Sequence, residues 1–118
     1  MSETERTITA TVKIVNPDRE NRRHSLSEVK KDGTIQKTIA IDQDEMIIGR
    51  DADTQIRLSS NRASRHHAFL RQRGTDCILV DNDSHNGVIL NGVKIHSAIL
   101  REGDVIQVAH TIFVFHEG

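Results

Sequence analysis

The stretch Val88-Ile89-Leu90-Asn91-Gly92-Val93 sets an Asn-Gly pair between two apolar segments. Asn and Gly both tolerate positive φ, so the pair predicts a tight turn whose twist matches two antiparallel strands. It is the strongest hairpin signal in the chain. Outward from it, short apolar runs recur at 46–48, 56–58, 68–70, 77–80, 105–108 and 112–115, parted by Gly, Asn, Asp and Ser. Toward the N-terminus, Ile8, Ala10, Val12 and Ile14 alternate with Thr7, Thr9, Thr11 and Lys13, the period of a half-buried strand. A second strand is predicted over 34–41, with Ile35, Ile39 and Ile41 on one face. This pattern predicts an all-β fold, a two-sheet antiparallel β-sandwich of about 10 to 11 strands.

Residues 16–33 depart from the pattern. They carry Asp18, Arg19, Glu20, Arg22 and Arg23, and Ser25-Leu26-Ser27-Glu28 fits a capping box. Too few apolar positions exist there for a packed helix, so an exposed loop between the first two strands is expected. At 118 residues the chain has the length of one domain, 1–118, with 1–6 as an N-terminal tail.

Bulk composition narrows the function. Sixteen basic residues against 17 acidic ones leave a net charge of −1, so no overall field favours nucleic acid or an anionic membrane. With no Trp, no Tyr and three Phe, the chain lacks the stacking platform of a single-strand nucleic-acid binder. No run approaches the ~18 apolar residues that span a bilayer. The polar start Met1-Ser2-Glu3-Thr4-Glu5-Arg6 does not read as a secretory signal. The lone Cys77 cannot form an internal disulfide, and its apolar surroundings predict a buried thiol in a reducing, cytoplasmic setting. Neither nucleic acid nor membrane is expected as a partner.

Seven histidines raise the question of a metal. His66 and His67 are adjacent on a predicted strand, so they point to opposite faces. His85, His96, His110 and His116 show no ligand spacing, and no Cys pair supports them. No metal and no cofactor are expected. A hydrolytic set of Ser64, His67 and Asp81 can be written, but the chain has no Gly-x-Ser-x-Gly elbow. No catalytic residue is assigned, and the chain is read as a binding protein, not an enzyme.

The segments Ile48-Gly49-Arg50, Ser64-Arg65-His66-His67-Ala68, Asp81-Asn82-Asp83-Ser84-His85-Asn86-Gly87-Val88, Leu90-Asn91-Gly92 and Leu100-Arg101-Glu102-Gly103-Asp104-Val105-Ile106 follow one another in a specific register. In that register the chain resembles a forkhead-associated (FHA) domain, best over 47–116. The resemblance implies a phosphothreonine-dependent adaptor for signalling proteins, with a phosphorylated partner and a Ser/Thr kinase upstream. It implies that Arg50, Ser64 and Arg65 line a phosphate pocket and that Asn86 grips the ligand main chain. His67 would brace the Ser64 loop and Gly87 would permit the turn after Asn86.

Those residue types suit the task. A phosphothreonine brings about −1.5 to −2 charges and three acceptor oxygens. Guanidinium groups give bidentate charged hydrogen bonds, a serine hydroxyl gives a short donor, and an amide donates and accepts together. Gly49, lacking a Cβ, would let the chain leave its strand tightly before Arg50. A pocket for the threonine methyl would be worth about 1 kcal/mol against phosphoserine. The chain departs from the family pattern at His85, where Thr or Ser is usual; its imidazole either replaces that phosphate contact or is a solvated loop tip. Val88 also replaces a common Thr. The alternative function is a phosphate-independent scaffold that binds through a sheet face or through 16–31. A further expectation is self-inhibition by a phosphorylated threonine among Thr4, Thr7, Thr9 and Thr11.

Overall fold

A computed structural model describes residues 23–118. The predicted strand at 8–14, the tail with its threonines and residues 16–22 lie outside the described residues. Eleven strands follow in chain order: β1 (Ser25–Val29), β2 (Ile35–Ala40), β3 (Glu45–Gly49), β4 (Ile56–Arg57), β5 (Ala68–Arg73), β6 (Asp76–Asp81), β7 (Val88–Leu90), β8 (Val93–Ile95), β9 (Ser97–Ile99), β10 (Val105–Val108) and β11 (Thr111–His116). They form two layers, a six-stranded sheet ordered β2-β1-β11-β10-β7-β8 and a five-stranded sheet ordered β4-β3-β5-β6-β9.

Alternation fills the space between the layers. Phe113 and Phe115, two apart on β11, both point inward and are fully buried. Their register partners Ile106 on β10 and Leu26 on β1 are buried beside them. Met46, Ile48, Leu70 and Leu79 meet them from the other sheet. A large apolar side chain buried in this way contributes about 1.5–3 kcal/mol. Cys77 is buried there too, and desolvation pushes its thiol up to about 11, so it stays protonated and inert. The hairpin at Asn91-Gly92 forms as read, with φ of 50° and 85° at the two residues.

Three expectations need correction. Residues 25–29, assigned to an exposed loop within 16–33, form β1, the second strand of the larger sheet, with Leu26 wholly buried. Its strand character comes from distant partners: β11 on one side, and hydrogen bonds from Ser27 to His116 Nε2 (3.1 Å) and Thr38 (3.5 Å). Neighbours in sequence carry no trace of that. In β2, Ile39 pairs with Leu26, but the β1–β2 register slips between Glu28 and Val29 and Ile35 is left 58% exposed. The sandwich is also not antiparallel throughout, since β4 runs parallel to β3 over Ile48–Ile56 and Gly49–Arg57.

β4 is so short that the lower half of β3 lacks a strand neighbour on that side. The Gln55 side-chain carbonyl covers part of the gap by accepting the Ile47 N–H at 2.7 Å. At the opposite end of the chain's path the layers are joined by His24. Its Nε2 bonds the Thr75 carbonyl at 2.8 Å and its Nδ1 accepts the Gly118 N–H at 3.0 Å.

Candidate functional site

Three loops meet at one end of the sandwich: 50–55 after β3, 58–67 between β4 and β5, and 82–87 between β6 and β7. Gly49 permits the first meeting. A Cβ there would collide with the Arg65 carbonyl and the His66 Cα, so the 58–67 loop crosses directly over the end of β3. Close approach of a second segment, more than a tight strand exit, is what requires glycine. The contact is secured by hydrogen bonds from the Arg50 N–H to the Ser64 carbonyl (3.0 Å) and from the Asp51 N–H to the Arg65 carbonyl (3.2 Å).

Arg50 is exposed and turns its Nε to the Ala63 carbonyl at 3.1 Å. That bond leaves both Nη groups without a partner among the described residues. Ser64 Oγ accepts the His85 N–H at 3.1 Å, so its own hydrogen remains available. Asn86 Nδ2 donates to the Arg62 carbonyl at 2.7 Å, while its Oδ1 has no partner among the described residues. Arg50, Ser64, His85 and Asn86 are thus linked directly from three distant parts of the sequence. Arg65 joins them through its backbone, and its side chain is exposed, as is that of His85.

His67 holds the arrangement from below. It is completely buried, with Nδ1 accepting the Ser64 N–H at 3.0 Å and Nε2 bonding the Gly87 carbonyl at 2.7 Å. A backbone N–H can only donate, so Nδ1 is the acceptor and the ring hydrogen lies on Nε2. One imidazole therefore ties the 58–67 loop to the 82–87 loop. Gly87 has φ of 81°, a conformation costly for any other residue, and its carbonyl orientation depends on that turn. With both ring nitrogens occupied by backbone, His67 is no base for Ser64, and Asp81 bonds Ser84 instead. The geometry does not assemble the Ser64–His67–Asp81 set.

Several contributors escaped the sequence reading. Ser84 Oγ donates to Asp81 Oδ1 and accepts the Gly87 N–H at 2.9 Å, shaping the 82–87 loop. Asp81 three residues before Ser84 is a usual spacing for such a turn and offered a faint signal. Asn82 Nδ2 bonds the His66 carbonyl at 3.0 Å. Arg57, exposed on β4, donates its Nε to the Arg50 carbonyl at 3.3 Å. Parallel pairing brings it there, and no local motif marks it. The rim can therefore offer cationic and neutral donors, held in place by backbone acceptors, to a multiply charged anion.

The family model described as the FHA domain matches residues 46–109, more than half of the chain. The chain belongs to the FHA domain family. Among similar proteins, the ABC transporter ATP-binding/permease protein Rv1747 of Mycobacterium tuberculosis is 38% identical over 60% of this chain and 8% of its own length. The glycogen accumulation regulator GarA of Mycolicibacterium smegmatis is 33% identical over 80% of this chain and 60% of its own. The chain thus spans less than two thirds of either relative. Mycobacterium tuberculosis EmbR, solved in complex with a low-affinity phosphopeptide, superposes with a TM-score of 0.75 at 29% identity, over 81% of this chain and 24% of that one. Among the described residues of this FHA domain, no helix is long and apolar enough to cross a membrane.

Proposed function

We propose that the loop rim docks a phosphothreonine in a partner protein, making this chain a phosphorylation-dependent adaptor without catalysis of its own. Arg50 and Arg65 supply the positive charge, Ser64 supplies a hydroxyl donor and His85 flanks the phosphate. Asn86 takes the peptide main chain beside it. The observation that carries this reading is that donors of Arg50 and Ser64 and the Asn86 Oδ1 acceptor, on three loops bonded to one another, have no partner among the described residues. Charged hydrogen bonds of this kind contribute about 1.5–3 kcal/mol each, reduced by screening at an exposed rim. Affinity should lie near micromolar, about −8 kcal/mol. The test is calorimetric titration with a phosphothreonine peptide drawn from an oriented library, set against its unphosphorylated twin. Equal affinity for the two peptides refutes the reading.

One observation favours a second, phosphate-independent contact. Outward residues of the six-stranded sheet include Val29 beside Ile112 and Val105 beside Val114, with Ile35 and Val105 58% and 42% exposed. Water-facing sheet surfaces are usually more polar than this. A partner retained after phosphatase treatment and by Arg50→Ala selects this reading.

A further inference from the structure

His66 is the neighbour of the buried brace His67 but lies on the opposite face, with its side chain 39% exposed. Its Nε2 sits 2.9 Å from Asp53 Oδ1 and 3.6 Å from Asp51 Oδ2, both on the loop that begins with Arg50. The three groups lie within 4.8 Å of one another, and no other charged group among the described residues pairs with this ring. The backbone on either side is committed as well. The Arg65 carbonyl takes the Asp51 N–H, and the His66 carbonyl takes Asn82 Nδ2 from the third loop. Thr54 closes the acidic loop by donating its hydroxyl to the Asp51 carbonyl at 2.8 Å. Asp53 in turn has its carboxyl held below the ordinary range, first by the hydrogen bond from His66.

We propose that His66 is a positioning residue of the phosphopeptide rim: by clasping Asp51 and Asp53 it locks the Arg50 loop against the Arg65 loop, and it does so more firmly when the imidazole is charged. The inference rests on the reading of this rim as a phosphopeptide site. Its physical basis is that Asp51 and Asp53 lie on the Arg50 loop while His66 directly follows Arg65, so each contact to the ring ties one loop to the other. Neutral His66 donates one hydrogen bond to Asp53. Protonated His66 adds attraction to both carboxylates.

Because the pair is exposed and screened by solvent, removing it should weaken binding only about two- to fivefold. The experiment titrates the full chain with a phosphothreonine peptide at about pH 6 and about pH 8, the range across which histidine changes charge. Comparing variants at each pH cancels every pH effect that they share, that of the ligand phosphate included. His66→Ala is expected to bind about two- to fivefold more weakly at both values. His66→Gln, which keeps a donor but no charge, should match the wild type near pH 8 and fall behind near pH 6. Thermal midpoints should stay equal across the series. Equal affinity of wild type, His66→Ala and His66→Gln at both values overturns the proposal while leaving the pocket intact. So does a His66→Gln deficit that is the same at both. Failure of the wild type to prefer the phosphorylated peptide removes the pocket reading, and this inference with it.

Discussion

The two ends of the sandwich use hydrogen bonds in opposite ways. At the end remote from the loops, His116 bonds Ser27 through Nε2 and Glu102 through Nδ1. Glu102 uses its second oxygen on the Glu117 N–H, and Glu117 returns a carboxylate to the Glu102 N–H. His116 and Glu102 each use both of their side-chain polar atoms on other parts of the chain. At the rim, Arg50 and Asn86 each commit one side-chain nitrogen and Ser64 uses its hydroxyl only as an acceptor, and their other donor and acceptor sites have no partner among the described residues. A saturated network stabilises a fold; an unsaturated one, held rigid by backbone acceptors, is prepared for a ligand. That contrast is the reason the proposed binding site is placed at the loop end.

The contrast can be broken in graded steps. Arg50→Ala removes the main unspent cation, so phosphopeptide affinity should drop about 100-fold or more, the loss of two charged hydrogen bonds. Its denaturation midpoint should barely move, and a large loss of stability with binding intact would reverse the contrast. His67→Ala should act oppositely on the fold. It strands the Ser64 N–H and Gly87 carbonyl in a buried space and should cost about 2–4 kcal/mol in a urea titration. Asn86→Ala sacrifices one amide that serves both loop and ligand, and about tenfold weaker binding is expected by calorimetry.

The smallest effect lies at the saturated end and appears only in acid. Glu102 has its carboxyl below the ordinary value of 4.5, through the hydrogen bond from His116 and then the Glu117 N–H. A carboxyl lowered in the folded state stabilises the fold above its unfolded value and loses that contribution as pH falls through the folded value. Glu102→Gln should therefore flatten the acid limb of a midpoint-against-pH curve and leave affinity at the rim unchanged. An unaltered acid limb would show that this network adds nothing measurable.

Much of this was legible in the letters, and for identifiable reasons. Strands carrying short apolar runs, such as β5, β6 and β11, announced themselves, and Asn91-Gly92 named its own turn. Arg50, Ser64 and Asn86 were picked out by family register, and the folded chain bonds their loops together. What stayed hidden depends on pairing between distant segments. Ser25–Val29 reads as polar and loop-like because β11 and β2 supply its order. Arg57 enters the rim through a parallel pairing that no local pattern encodes. Gly49 was read for its own backbone, whereas its need for hydrogen is imposed by Arg65, far along the chain.

Gln55 has an effect out of proportion to its size. A free Ile47 amide beside a two-residue β4 would invite an extended polypeptide to slide alongside β3 and lengthen the sheet. One glutamine carbonyl occupies that amide, so the margin nearest the rim offers no ladder for stacking or fibril growth at this position.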